Sequence, residues 1–202
     1  MQQTIKETKL LDATTLVKIS ILSSIGYILM FIAVPLPMLF PDFLKIDISD
    51  LTELVGGIAL GPMAGVTITF IKNLLQFTTG MSTTSGVGEF ANFLIGGSFV
   101  FTVSYIYSKK RELSGLIIGL VSGILVMTIV GCIINYFIVL PFYSTIGWSI
   151  DAVVSMGKAI NPAINSKLSF VILIIAPFNI LKSGVISILM LPMYKKIEKI
   201  FK

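Results

Sequence analysis

Pro177-Phe178-Asn179-Ile180-Leu181-Lys182 lies inside a run from Leu168 to Met193 that is otherwise almost wholly apolar. A helix needs roughly 20 apolar residues to cross a ~30 Å hydrocarbon core, so a run of this length reads as a membrane-spanning α-helix. Within it stand an amide, an amine and a helix-disturbing proline. A charge at the centre of a membrane helix costs roughly 2.5–3.5 kcal/mol on insertion scales, so such a residue faces a protein interior or a cavity. Asn179 and Lys182 share one helical face, and the other spans must supply what that face looks at.

The whole chain has the same character. Of its 202 residues, 55% are hydrophobic and only 12% charged, where soluble domains carry roughly 25% charged residues. Long apolar runs recur along the length, which argues for helices and against the ten-residue alternating segments of a β-barrel. One bundle spanning residues 1–202 is expected, with no second domain. The net charge of +5 sits beside the spans and not in a basic patch with interleaved aromatics, so it reads as membrane topology and excludes a nucleic-acid partner. With no histidine in the sequence, histidine-dependent triads and zinc sites are excluded. The single cysteine, Cys132, lies in an apolar span and reads as packing. No metal site, cofactor or signal peptide is expected.

In chain order, a polar segment 1–15 leads into span one, about Leu16 to Val34, where Ser20 and Ser24 give a small-xxx-small spacing. That spacing serves either packing within the bundle or docking of a partner. The stretch 35–50 carries three prolines, so it is not helical, yet it also holds Met38, Leu39, Phe40, Phe43 and Leu44. It reads as a loop folded back over the bundle mouth. Asp50 to Leu60 and Met63 to about Thr79 form two short spans around Gly61-Pro62, with Ser49 or Asp50 able to cap the first. Lys72 shares a face with Gln76; it is either a structural partner of Glu53 or another acid, or a ligand group. Thr78 to Gly86 reads as a flexible link. Span four, about Val87 to Tyr107, opens with Glu89, Asn92 and Gly96 on one stripe, and span five, about Gly115 to Leu140, ends near Asn135. The segment 142–167 reads as an outer loop or interfacial helix with Tyr143 and Trp148 at headgroup level.

Charge asymmetry orients the bundle. Lys6, Lys9, Lys18, Lys109, Lys110, Arg111, Lys195, Lys196, Lys199 and Lys202 fall on one side, and Lys45, Lys158 and Lys167 on the other. The positive-inside rule then gives six spans with both termini cytoplasmic. On that topology Gln76, Glu89, Asn92, Asn135 and Asn179 come to one outward-facing end, together with the proline-rich loop. A cavity open to the exterior and floored near Lys182 accounts for them. Its amides both donate and accept, and Phe40, Phe43, Tyr136 and Phe178 can cover flat apolar surface. The lining suits a flat neutral molecule with a polar edge.

Pro41-Asp42-Phe43-Leu44-Lys45-Ile46-Asp47, Gly61-Pro62-Met63-Ala64-Gly65, Ile71-Lys72-Asn73-Leu74-Leu75-Gln76, Glu89-Phe90-Ala91-Asn92-Phe93, Asn135-Tyr136-Phe137-Ile138-Val139-Leu140-Pro141 and Pro177-Phe178-Asn179-Ile180-Leu181-Lys182 together resemble the riboflavin-specific substrate-binding (S) component of energy-coupling-factor (ECF) transporters. The resemblance runs in order over about residues 16–194. It implies a six-helix bundle that captures riboflavin in an outward pocket closed by the first loop. By motif match, Asn135, Asn179 and Lys182 hydrogen-bond the isoalloxazine edge or the ribityl hydroxyls, and Leu44 and its neighbours pack on the ring. The substrate-binding set is Leu44, Lys45, Asp47, Gln76, Glu89, Asn92, Asn135, Tyr136, Asn179 and Lys182. The implied partners are a transmembrane coupling subunit, docking at Ser20 and Ser24, and two ATPases in a prokaryotic plasma membrane. This chain has no phosphate-binding loop of its own and is not expected to be an enzyme.

Other readings are a binding subunit for another vitamin or a stand-alone ion-coupled carrier. Against the carrier stand the lack of an internal repeat and of a carboxylate relay, since Glu53 and Glu89 read as the only acids near the spans. An intramembrane enzyme has no nucleophile with a partner to support it. A purely structural subunit has no use for the outward polar cluster.

Overall fold

The computed structural model describes residues 12–82, 84–145 and 147–201, with side chains as far as Ile197. Lys6, Lys9 and Lys202, the Lys199 side chain and most of the polar segment 1–15 lie outside the described residues. Among the described residues there are seven helices: α1 Ala13–Met30, α2 Asp50–Leu60, α3 Pro62–Thr78, α4 Val87–Lys109, α5 Leu113–Thr145, α6 Ile150–Ile160 and α7 over 167–201. Four of them, α1, α4, α5 and α7, are long and apolar enough to cross a membrane.

The 11-residue α2 is far shorter than a bilayer core. Nearly every one of its side chains is buried, so protein shields it from lipid. Gly61, with φ of 111°, and Pro62 at the first helical position turn α2 sharply into α3. The two run antiparallel, Thr69 lying opposite Glu53 and Lys72 opposite Asp50. Their backbones nearly touch: a Cβ on Gly65 would stand 2.9 Å from Gly57 Cα and 3.0 Å from Glu53 O. α4 packs along this hairpin on one side and along α5 on the other, and α7 packs against α5 and α2.

The expected loop 35–50 is a small hairpin. Val34 pairs with Ile46 and Pro35 with Lys45 as strands β1 (Val34–Pro35) and β2 (Lys45–Ile46). Span one ends earlier than its composition predicts, because the chain leaves the helix at Phe31 and enters β1. Phe40, at the far end of the hairpin loop, is buried edge-on against Phe178 at 5.3 Å.

Both α5 and α7 contain one wide π turn, Asn135–Val139 and Val171–Ile175. In each the next residue donates its N–H five residues back, Leu140 to Asn135 O and Ala176 to Val171 O, and the residue after that is a proline. Proline has no N–H and its ring crowds the carbonyl four residues back, and a widened turn relieves that conflict without ending the helix. Span five consequently continues to Thr145. The rest of the 142–167 segment holds α6, which Ser149 caps by accepting from Ala152 N at 3.1 Å. α6 buries Val153 and Gly157, the latter under the ring of Phe170. The proposed cap of α2 is not used: Ser49 makes no side-chain capping bond, and its hydroxyl faces Asp47 and Lys72 instead.

Candidate functional site

A cavity of about 660 Å³ opens between the hairpin, the end of α3, the start of α4, and the stretches of α5 and α7 beside their π turns. This is the range of a pocket that takes one small molecule. Leu44, Lys45, Asp47, Gln76, Glu89, Asn92, Asn135, Asn179 and Lys182 all line it. Tyr136 does not; its ring lies under Lys167 Nζ, 4.1 Å from the centroid.

Asn135 on α5 and Asn179 on α7 both line the cavity. Each donates one amide N–H to a carbonyl of its own helix four residues back, Gly131 O and Ile175 O, both at 2.8 Å. That fixes the amide planes and leaves an oxygen and a second N–H on each for a ligand. Gly131 makes the approach possible, since a Cβ there would stand 2.6 Å from Asn179 Nδ2.

Lys182 forms the floor. Its Nζ donates to Asn92 Oδ1 at 3.3 Å and lies 3.1 Å from Asp50 Oδ2 and 3.4 Å from Asp47 Oδ2. Asp50 Oδ2 and Glu53 Oε1 accept no aligned hydrogen bond, so charge is what holds them to the lysines. Asn92 Nδ2 in turn donates to Asn73 Oδ1 at 3.0 Å. Beneath the floor, Lys72 pairs with Glu53 Oε1 and, at 2.8 Å, with Asp50 Oδ1. Lys72 is therefore an ion-pair residue and does not reach the cavity. The expectation that Glu53 and Glu89 are the only acids near the spans is corrected here: Asp47 and Asp50 are also buried in the bundle. Asp50 reads as a helix cap in the sequence, which is why its place in the interior is not visible there.

Glu89 stands at the other side of the opening, accepting from Ser82 Oγ at 2.8 Å and Thr84 Oγ1 at 3.3 Å. The link 78–86 is thus tied to the pocket wall and is more than a spacer. Tyr143 and Trp148 also line the cavity. Phe43 packs edge-on against both, at 5.9 and 6.3 Å, and stacks on Phe170 at 6.5 Å. Ser20 and Ser24 lie on the exposed face of α1, with their hydroxyls bonded back to Leu16 O and Ser20 O. The small residues buried on the bundle side of α1 are Thr15, Ser23 and Gly26.

A family model for the substrate-specific component of ECF transporters matches residues 14–194. The chain belongs to this family. Among curated relatives of this S component, the riboflavin transporter RibU of Staphylococcus aureus is 41% identical over 187 residues, covering 93% of this chain and 92% of that protein. The riboflavin transporter FmnP of Bacillus subtilis is 34% identical, covering 91% of each. A solved structure described as the S component of a bacterial ECF transporter superposes with a TM-score of 0.71 at 37% identity, covering 93% of this chain and 96% of that one.

Proposed function

We propose that this S component captures riboflavin and serves its uptake as the substrate-binding subunit of an ECF-type ABC transporter. The observation that carries the reading is the union of two amides, Asn135 and Asn179, with the Lys182 ammonium and the rings of Phe43, Tyr143, Trp148 and Phe178 around one cavity. A tricyclic flavin has flat apolar faces and an edge of mixed donors and acceptors. Amides held rigidly by their own helices meet such an edge at low entropic cost, and the rings cover the faces. Leu44, just before β2, and Lys45 in that strand, with Gln76, Glu89 and Asn92, complete the proposed wall. The family's relatives named as riboflavin transporters support the choice of ligand over another vitamin.

The same reading makes residues 1–202 one transmembrane binding domain of six spans with both termini cytoplasmic and the pocket facing outward. Lys109, Lys110, Arg111, Lys195 and Lys196, at the ends of α4 and α7 remote from the cavity, support that orientation. Energy then comes from separate subunits, a membrane coupling protein and two ATPases in a bacterial plasma membrane, with Ser20 and Ser24 on the docking face. A stand-alone ion-coupled carrier is less well supported, because the buried carboxylates Asp50 and Glu53 are already engaged by lysines.

Titration of the detergent-purified apo protein with riboflavin, followed by quenching of flavin fluorescence, tests the proposal. Saturable one-to-one quenching is expected, with affinity falling about tenfold or more in Asn179→Ala and in Lys182→Ala, the scale of one charged or amide hydrogen bond. A protein that leaves flavin fluorescence unchanged overturns the ligand assignment and directs the search to other vitamins.

A further inference from the structure

Lys72 is fully buried, at 0% exposure, and lies outside the cavity lining. Its ammonium stands 2.8 Å from Asp50 Oδ1, donates to Ser49 Oγ and pairs with Glu53 Oε1. Asp50 is thereby shared: Oδ1 faces Lys72, while Oδ2 faces Lys182 at 3.1 Å. Asp47 sits on the same network, accepting from Ser49 N at 2.9 Å and lying 3.4 Å from Lys182. α1 closes the far side, for a Cβ on Gly26 would stand 2.6 Å from Thr52 Oγ1 and 3.5 Å from Lys72 Cδ.

Stability does not explain this arrangement, because a buried ion pair gives little over an apolar pair of the same volume. What it does supply is position. Three carboxylates, Asp47, Asp50 and Glu53, face two ammonium groups. Without Lys72 all three compete for Lys182, and its ammonium is drawn off the pocket floor towards α2. We propose that Lys72 is a positioning residue for the pocket, which through Asp50 fixes where Lys182 presents its ammonium to the ligand. The proposal rests on the riboflavin reading above.

Riboflavin dissociation constants of the full-length protein and of Lys72→Met, Asp50→Asn, Lys182→Met and the Lys72→Met/Lys182→Met pair test it, with thermal unfolding of each apo protein alongside. Lys72→Met is expected to weaken binding about tenfold or more, the scale of a displaced charged contact. In the Lys182→Met background the same change is expected to cost less than about twofold, because residues acting through one contact are not additive. Asp50→Asn cuts the link while keeping both lysines and leaves the buried charges balanced, so it folds even where Lys72→Met does not, and it is expected to reproduce the loss. Equal losses from Lys72→Met in both backgrounds, or native affinity in Asp50→Asn, overturn the proposal. A wild-type protein that does not bind riboflavin overturns the ligand reading instead.

Discussion

Gly131 shows how much of the pocket depends on one missing atom. With no Cβ, it lets the Asn179 amide lie against the α5 backbone, beside Asn135 one turn further on. Gly131→Ala places a methyl 2.6 Å from Asn179 Nδ2, and in a close-packed interior the amide must swing away. Riboflavin affinity is expected to fall about tenfold, as for loss of one well-aligned hydrogen bond, with only a few degrees lost in apo unfolding temperature; titration and a thermal scan read both. Asn135, Asn179 and Lys182 are legible in the sequence, because a polar residue within an apolar run needs a reason. Gly131 is not, because glycine is common in membrane helices and its neighbour across the interface is set by packing. Asp50 stays hidden for a related cause: at a helix start an acid already has an ordinary explanation.

At the scale of elements, the hairpin 34–46 is the part of the pocket wall held by side chains more than by backbone. Two residue pairs join its strands, too few for independent stability, so Phe40 on Phe178 and Phe43 among Tyr143, Trp148 and Phe170 are its anchors. Phe43→Ala frees that corner, and it is expected to raise the riboflavin dissociation rate about tenfold with little change in association, since interface changes act mostly on the off-rate; stopped-flow fluorescence separates the two. The fold-back of this loop is legible, because a solvated connector has no use for so many large apolar residues. The strand pairing is not, since two-residue strands carry no alternation to read. The span boundaries shift for a similar reason. A proline in a membrane helix reads as an end or a kink, yet before Pro141 and Pro177 the chain widens by one π turn and goes on, and that choice depends on the neighbours that satisfy the freed carbonyls.

Across the whole molecule, polar groups gather at one end while the flanks are apolar. Leu16, Val17, Ile21, Ile25 and Ile28 of α1 are all well exposed around Ser20 and Ser24. Lipid tails solvate such a face as well as another helix does, so apolarity alone does not bring a partner to it; close backbone approach does. Ser20 and Ser24 leave a shallow track between the larger side chains, and their hydroxyls, already bonded to Leu16 O and Ser20 O, ask nothing of the partner. On the assembly proposed above, with a coupling subunit docked at this face, filling the track blocks assembly while sparing the ligand, since neither serine lines the cavity. Ser20→Leu/Ser24→Leu is therefore expected to keep wild-type riboflavin affinity in detergent and to lose most uptake in vesicles holding the coupling subunit and ATPases. Copurification with the coupling subunit is expected to fail in parallel. Full uptake by this variant would move the docking face elsewhere on the bundle, and lost affinity would mean that α1 supports the pocket through Gly26 and Lys72 more directly than through a partner.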